Sequence, residues 1–233
     1  MDCCAVVVAA GSGKRMGADR AKQYLLLDGI PILAYTLIRL SRIPQIDGIV
    51  LVVPQDDCSL CKTDMIDAFG VRKIIDIVPG GRRRQDSVFN GLRALQKVQP
   101  SYVLIHDGVR PFFSDELCLD IIEETRRHGA VIPGLPVVCT IKECNGNHEV
   151  LRTIPRDALW EIQTPQGFCY KSLYAAYETV VEKDIDVTDD SMVMEFIGGK
   201  VKIIEGNKEN IKITRPVDLP VAHQIMTGGV FAL

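Results

Sequence analysis

Unbroken apolar runs alternate along this chain with stripes at helical spacing. Val6 to Val8 is β-branched and free of polar residues, and Gly48-Ile-Val-Leu-Val-Val53, Ile74 to Val78 and Tyr102-Val-Leu-Ile-His106 repeat the pattern. Short runs without polar alternation suit strands buried on both faces of a parallel sheet. Between them the period changes to that of a helix. Leu33, Leu37 and Leu40 predict a helix from Pro31, a good first helical position, to about Arg42. Cys58, Cys61 and Met65 share one face of a helix over Cys58 to Phe69, and Val88, Leu92 and Leu95 mark the inner side of another. Ser114 is a plausible N-cap with Asp115 and Glu116 in the first turn of a helix that turns Leu117, Ile121 and Ile122 inward and ends near Gly129. Strand and helix in regular alternation predict an α/β fold, a mostly parallel sheet flanked by helices.

The alternation then breaks. After a short strand at Ala130 to Pro133, the segment Val137 to Thr153 forms two strand-like runs around Asn145-Gly146, a strong hairpin signal. Polar residues on both of its faces leave it unable to bury itself, so it needs something to pack on. A helix over Leu173 to Val181, a cap at Thr188-Asp189-Asp190-Ser191, a strand at Val201 to Glu205 and a terminal helix beyond Leu219 complete the pattern. With no internal repeat, low-complexity segment or linker, residues 1–233 read as a single domain carrying a β-arm at about 137–156.

Composition narrows the function. The chain is 47% hydrophobic with a formal net charge of −3, so a core is affordable and a general nucleic-acid surface is disfavoured. Its cations cluster locally, at Lys14 to Lys22 and Arg82 to Arg84, which suits a small anionic substrate. No secretory signal and no apolar segment near the ~18 residues of a membrane span are apparent. Eight scattered cysteines in a chain of this size predict reduced thiols and a cytoplasmic setting. Cys58-Ser-Leu-Cys61 has no second pair or nearby histidine to complete a zinc site and reads as core packing.

The candidate chemistry begins where the first strand ends. Ala9-Ala10-Gly11-Ser12-Gly13 removes side-chain bulk, so backbone N–H groups can approach an anion, and Lys14, Arg15, Arg20 and Lys22 add positive charge. A P-loop is excluded, because Val8 stands five before Gly13 and Arg15 replaces the magnesium-binding hydroxyl. Gly11, Gly13 and Gly17 are spaced one residue too far for a dinucleotide fingerprint, which disfavours a nicotinamide oxidoreductase. A second glycine-rich turn, Pro79-Gly80-Gly81-Arg82-Arg83-Arg84-Gln85-Asp86-Ser87, is strongly cationic. Asp107-Gly-Val-Arg110 follows the fourth strand at its carboxyl end, where doubly wound sheets bind ligands and where a carboxylate can help hold Mg²⁺. His106, ending an apolar strand, reads as a hydrogen-bonded structural histidine.

The run Ala9 to Gly17, Ala-Ala-Gly-Ser-Gly-x-Arg-Met-Gly, with Lys22-Gln23-Tyr24, resembles the signature loop of the sugar- and polyol-phosphate nucleotidyltransferases. Most narrowly it is similar to the polyol-phosphate cytidylyltransferase family, collinearly from about Ala5 to Ala222. The resemblance implies a Rossmann-like sheet of the nucleotide-diphospho-sugar transferase type. It also implies transfer of CMP from CTP to 2-C-methyl-D-erythritol 4-phosphate in the non-mevalonate isoprenoid pathway. The alternatives are ribitol 5-phosphate as acceptor, or a nucleotide-binding regulatory protein without turnover. Carried over residue by residue, it makes Arg15, Lys22 and Lys212 the catalytic cations, and Ala9, Ala10, Gly11, Ser12, Gly13, Gly81, Arg82, Ser87 and Asp107 the CTP contacts. Asp107 is also the metal-associated residue, for Mg²⁺. Arg110, Thr140, Arg156, Thr164 and Thr188 become the polyol-phosphate contacts, with Thr140 and Arg156 reaching into the partner's site of a homodimer joined by the arm. The chain departs from the family pattern at Ala21 and Pro155, which replace proline and aspartate, and at Gly108-Val109, which replaces Ala-Ala. The implied reaction needs no general base, because a phosphomonoester with a second pKa near ~6 is already a dianionic nucleophile at neutral pH. It needs cations and oriented donors around the phosphorus under attack.

Overall fold

Strand β1 (Cys3–Val8) runs through the centre of the computed structural model, which describes residues 1–11 and 21–228. Cys3, Ala5 and Val7 face one apolar cluster with Leu37 and Leu51, while Cys4 and Val6 face another with Val50 and Leu92. An unbroken apolar run is therefore what a strand covered on both faces requires, each fully buried Val or Leu side chain contributing about 1.5–3 kcal/mol.

In chain order, a two-residue turn at Asp28 (φ 49°) and Gly29 (φ 82°) joins β2 (Leu26–Leu27) to β3 (Ile30–Pro31). This Asp-Gly hairpin makes Pro31 the end of a strand, so α1 (Ile32–Arg42) begins one residue later than expected. β4 (Gly48–Val53) is buried throughout. The helix expected over Cys58 to Phe69 is α2 (Cys58–Cys61) followed by a π-helical turn, Lys62–Asp67, in which Ala68 N–H reaches the Thr63 carbonyl. Cys61 and Met65 are nevertheless buried and Cys58 packs beside them, as core packing of the Cys-x-x-Cys pair requires.

β5 (Ile74–Pro79), α3 (Arg84–Ala94), β6 (Tyr102–Asp107) and α4 (Asp115–His128) follow. Ser114 Oγ caps α4 by accepting the Leu117 N–H at 3.1 Å, and Gly129, at φ 80°, ends it in the left-handed conformation. β7 (Ala130–Pro136) is longer than the pattern suggested. The arm hairpin is β8 (Ile141–Cys144) and β9 (Val150–Ile154), which form a two-stranded sheet of their own. Two short strands absent from the sequence reading, β10 (Trp160–Ile162) and β11 (Gln166–Cys169), pair antiparallel with β7, and β11 also inserts against β6. α5 (Tyr170–Glu182), α6 (Asp190–Phe196), β12 (Lys202–Glu205) and α7 (Asp218–Thr227) complete the described chain.

The eight-stranded sheet has the order β10-β7-β11-β6-β1-β4-β5, with β12 on β7. β1, β4, β5 and β6 are mutually parallel, so their carboxyl ends open on one edge of the molecule. α1 and α4 cover one face and α3 and α5 the other.

Candidate active site

The site forms at those carboxyl ends, around Asp107, the last residue of β6. Its carboxylate, 7% exposed, receives Lys212 Nζ at 2.7 Å and Arg84 Nε at 3.3 Å, with Arg110 Nε at 3.6 Å. Burial would raise its pKa, but the charges of Arg84, Lys212 and Arg110 outweigh burial and hold it far below the usual carboxylate range. Asp107 is therefore an anion inside a cationic ring.

Buried hydrogen bonds fix that ring. The Asp107 N–H donates to Thr164 Oγ1 at 3.1 Å, and the same hydroxyl lies 3.0 Å from His106 Nδ1. His106 Nε2 lies 3.0 Å from the Arg110 carbonyl, which can only accept. The proton thus sits on Nε2, and the Thr164 hydroxyl donates to Nδ1. Burial lowers the His106 pKa to about 4, with Asp107 opposing the shift, so the imidazole is neutral at pH 7. His106 is structural, as its place in the strand suggested.

Lys212 is delivered by buried amides. Asn210 Nδ2 donates to the Thr164 carbonyl at 2.9 Å, the Asn210 carbonyl accepts Arg110 Nη1 at 2.7 Å, and Ile213 N–H reaches the Val109 carbonyl at 3.0 Å. Gly108 allows the close approach behind this turn, since a Cβ there would stand 2.9 Å from both Ala9 Cβ and Leu33 Cδ1. Val109 is buried in an apolar cluster with Ile32, Phe112 and Ile213.

Two cavities flank Asp107. One, of about 420 Å³, brings together Ala9, Ala10, Gly11, Lys22, Gly81, Arg82, Ser87, Asp107 and Lys212, residues scattered over two hundred positions. The other, of about 410 Å³, is lined by Arg110, Thr164 and Thr188, again with Asp107 and Lys212. Thr140 and Arg156 are not among these lining residues. Both are exposed beside the arm, where Arg156 Nη1 donates to the Val138 carbonyl. Ser12, Gly13 and Arg15 lie outside the described residues. Ser87 Oγ accepts the Gly81 N–H at 3.0 Å and donates to the Arg83 carbonyl at 3.2 Å, so it braces the second glycine turn from within.

Sequence reasoning passed over Arg84, Asp190 and Tyr177. Asp86 accepts the Arg83 N–H at 2.9 Å at the start of α3, and Arg83 itself pairs outward with Asp184 and Asp186. The next side chain, Arg84, turns inward onto Asp107 and Asp190. Asp190, fully buried, accepts Arg84 Nη2 at 2.7 Å and the Tyr177 hydroxyl at 2.5 Å. Burial works against the Arg84 charge, but the carboxylates of Asp190 and Asp107 more than restore it. A signal was available in the family element Gly-Gly-x-x-Arg-x-x-Ser-Val, whose arginine falls at Arg84, but the resemblance was carried over only to Gly81, Arg82 and Ser87.

A model of the 2-C-methyl-D-erythritol 4-phosphate cytidylyltransferase family matches residues 3–228. Enzymes of that name from Alkaliphilus oremlandii and Clostridium beijerinckii are each 44% identical, over 95% and 94% of this chain and 93% and 95% of theirs. Among solved structures, the 4-diphosphocytidyl-2C-methyl-D-erythritol synthase of Anaerococcus prevotii superposes with a TM-score of 0.84 at 38% identity, covering 97% of this chain and 96% of its own. The 2-C-methyl-D-erythritol 4-phosphate cytidylyltransferase of Francisella tularensis gives 0.82 at 28% identity, over 97% and 100%. This chain therefore belongs to the 2-C-methyl-D-erythritol 4-phosphate cytidylyltransferase family of isoprenoid biosynthesis.

Proposed function

We propose that the cavity lined by Ala9, Gly11, Gly81 and Lys22 holds CTP and that the one lined by Arg110, Thr164 and Thr188 holds the polyol phosphate, with reaction across the residues between them. The observation that carries this reading is the pair Asp107 and Lys212, which lines both cavities. A 4-phosphate oxygen of methylerythritol phosphate attacks the α-phosphorus of CTP. As that P–O bond forms, the bond from the α-phosphorus to the bridging oxygen breaks and its electron pair leaves with pyrophosphate. Lys22 and Lys212 stabilise the charge that develops on the α-phosphoryl group, and Arg15 joins them on the sequence pattern. Arg110 and the Thr188 hydroxyl receive the acceptor's phosphate, while Thr164 Oγ1, whose proton goes to His106, has one lone pair left to accept from a hydroxyl of the acceptor.

Enzymes of this family generally use a divalent cation, and we assign it to Asp107 as Mg²⁺. The Asp107 carboxylate lines both cavities, and one such carboxylate suits Mg²⁺, which binds through one or two carboxylates with phosphate oxygens and water completing its shell. When bound it would neutralise triphosphate charge.

On this reading residues 1–233 work as one nucleotidyltransferase domain in a homodimer. The exposure of Thr140 and Arg156, outside both cavities, supports their acting across the subunit boundary. Eight free cysteines support a cytoplasmic setting, and no helix among the described residues is long and apolar enough to cross a membrane.

Pyrophosphate release tests the reading, measured with CTP and Mg²⁺ and with methylerythritol 4-phosphate or ribitol 5-phosphate as acceptor. Release with the first acceptor, its loss in EDTA, and a fall in turnover on the order of 10²-fold for Lys22→Ala are expected. Full turnover in Lys22→Ala would remove that lysine from the mechanism.

A further inference from the structure

Three side chains among the described residues line both cavities: Asp107, Lys212 and Arg84. Group transfer brings an oxygen held in one cavity to within bonding distance of a phosphorus held in the other, so a side chain common to both stands beside the reacting atoms. Asp107 is anionic and Lys212 already has a role. Arg84 has none.

We propose that Arg84 is a catalytic residue whose guanidinium spans the attacking phosphate and the α-phosphoryl group while the new P–O bond forms and the bond to the bridging oxygen breaks. It moves no proton; it supplies fixed donors and charge. This inference rests on the cavity assignment above.

The support is geometric. Arg84 lines both cavities while its anchor Asp190 is wholly buried, so the guanidinium is held from the protein side at the boundary of the two cavities. Nη2 is held by Asp190 at 2.7 Å and Nε by Asp107 at the longer 3.3 Å, which leaves the Nη1 edge of the fork turned away from both carboxylates. Tyr177 in α5 holds the other oxygen of Asp190 at 2.5 Å, so two helices set the plane of the fork. Donors oriented before the substrate arrives cost no reorganisation during reaction. A planar guanidinium can bond two oxygens side by side, which an ammonium cannot. Neighbouring arginines lack this setting: Arg82 is exposed, and Arg83 is committed to Asp86, Asp184 and Asp186.

The test is steady-state pyrophosphate release, both substrates varied, for Arg84→Lys and Arg84→Ala, with melting temperatures recorded alongside. Arg84→Lys is expected to lose on the order of 10²-fold in kcat, with both KM values nearly unchanged. Guanidinium added at millimolar concentration should restore part of the kcat of Arg84→Ala and none of that of Lys212→Ala. Tyr177→Phe leaves Arg84 in place and loosens its anchor, so it keeps the test open if Arg84→Ala does not fold; its kcat should fall on the order of tenfold. A folded Arg84→Lys enzyme with wild-type kcat, or a loss confined to KM, overturns the inference. If Lys212→Ala loses kcat while Arg84→Lys keeps it, this inference alone fails; if both keep it, the cavity assignment fails as well.

Discussion

The Asp107 centre and the β8–β9 arm are both polar and sit at opposite extremes of support. Around Asp107, buried groups form a closed chain from its own N–H through Thr164 and His106 to the Arg110 carbonyl. On the arm, polar contacts lie in the open, as in Lys142 to Thr153 at 2.6 Å and Arg152 to Glu143. Its apolar residues lie open too, Val138 at 78%, Val150 at 58% and Leu151 at 60% exposure. The turn is well built, since Asn145 Oδ1 accepts the N–H groups of Asn147 and Glu149, but against the described residues its two strands stay mostly exposed. A subunit alone can therefore preorganise its charged centre, whereas the arm's hydrophobic energy is available only against another surface.

The sharpest way to break the contrast is Asp107→Asn. It leaves Arg84, Arg110 and Lys212 facing one another without their carboxylate. Removing one partner of a buried ion pair costs about 3–5 kcal/mol. Chemical denaturation should show a loss of that order, with turnover down by at least 10²-fold. A variant as stable as wild type would mean that the cations are held by the fold and not by Asp107.

A second effect comes from His106. Its folded pKa, about 4, lies below the ~6.5 of an unfolded histidine. Above pH 6.5 both states are neutral and stability is unaffected. As the pH falls towards 4 the unfolded chain takes up a proton that the folded chain refuses, which removes roughly 3 kcal/mol. The Asp107 contribution has the other window: it is present above the unfolded carboxylate value of ~3.9 and is lost only as the pH drops below it. Unfolding free energies between pH 7 and 4.5 should therefore fall in wild type and stay nearly flat in His106→Gln. Equal slopes in the two proteins would exclude a neutral buried imidazole.

These two residues also show what the sequence could convey. β1 and β6 were legible because burial on both faces leaves an unbroken apolar run, and Asp107 because it follows such a run at the carboxyl edge. Thr164 was read as a phosphate contact from its motif. Its hydroxyl also accepts the Asp107 N–H and donates to His106, partners far apart in sequence that no local pattern reveals. β10 and β11 were missed because three- and four-residue strands owe their form to pairing with β6 and β7. Arg84 holds the arginine position of the Gly-Gly-x-x-Arg-x-x-Ser-Val element, but its inward facing is decided by the helix start at Arg83 and by partners distant in sequence.

The arm should respond in the opposite manner. Leu151→Glu places charge on an exposed apolar position and should leave subunit stability within about 0.5 kcal/mol of wild type. On the proposed homodimer, sedimentation should nevertheless shift from dimer to monomer. A dimer that survives the change would locate the interface elsewhere.

The smallest effect sharpens the comparison most. Glu143→Gln removes the partner of Arg152, an ion pair whose side chains are 45% and 70% exposed. Exposed pairs of this kind contribute about 0.2–1 kcal/mol. Hairpin register does not depend on it, because Ile141 opposite Ile154 and Lys142 opposite Thr153 are set by the backbone ladder. Thermal unfolding should show a change below about 1 kcal/mol in dilute buffer that disappears in 1 M salt, where charges are screened beyond about 3 Å. A larger loss that salt does not remove would mean that Arg152 and Glu143 are sheltered from water in the assembled protein, and the covering surface would have to come from a second subunit lying on the arm.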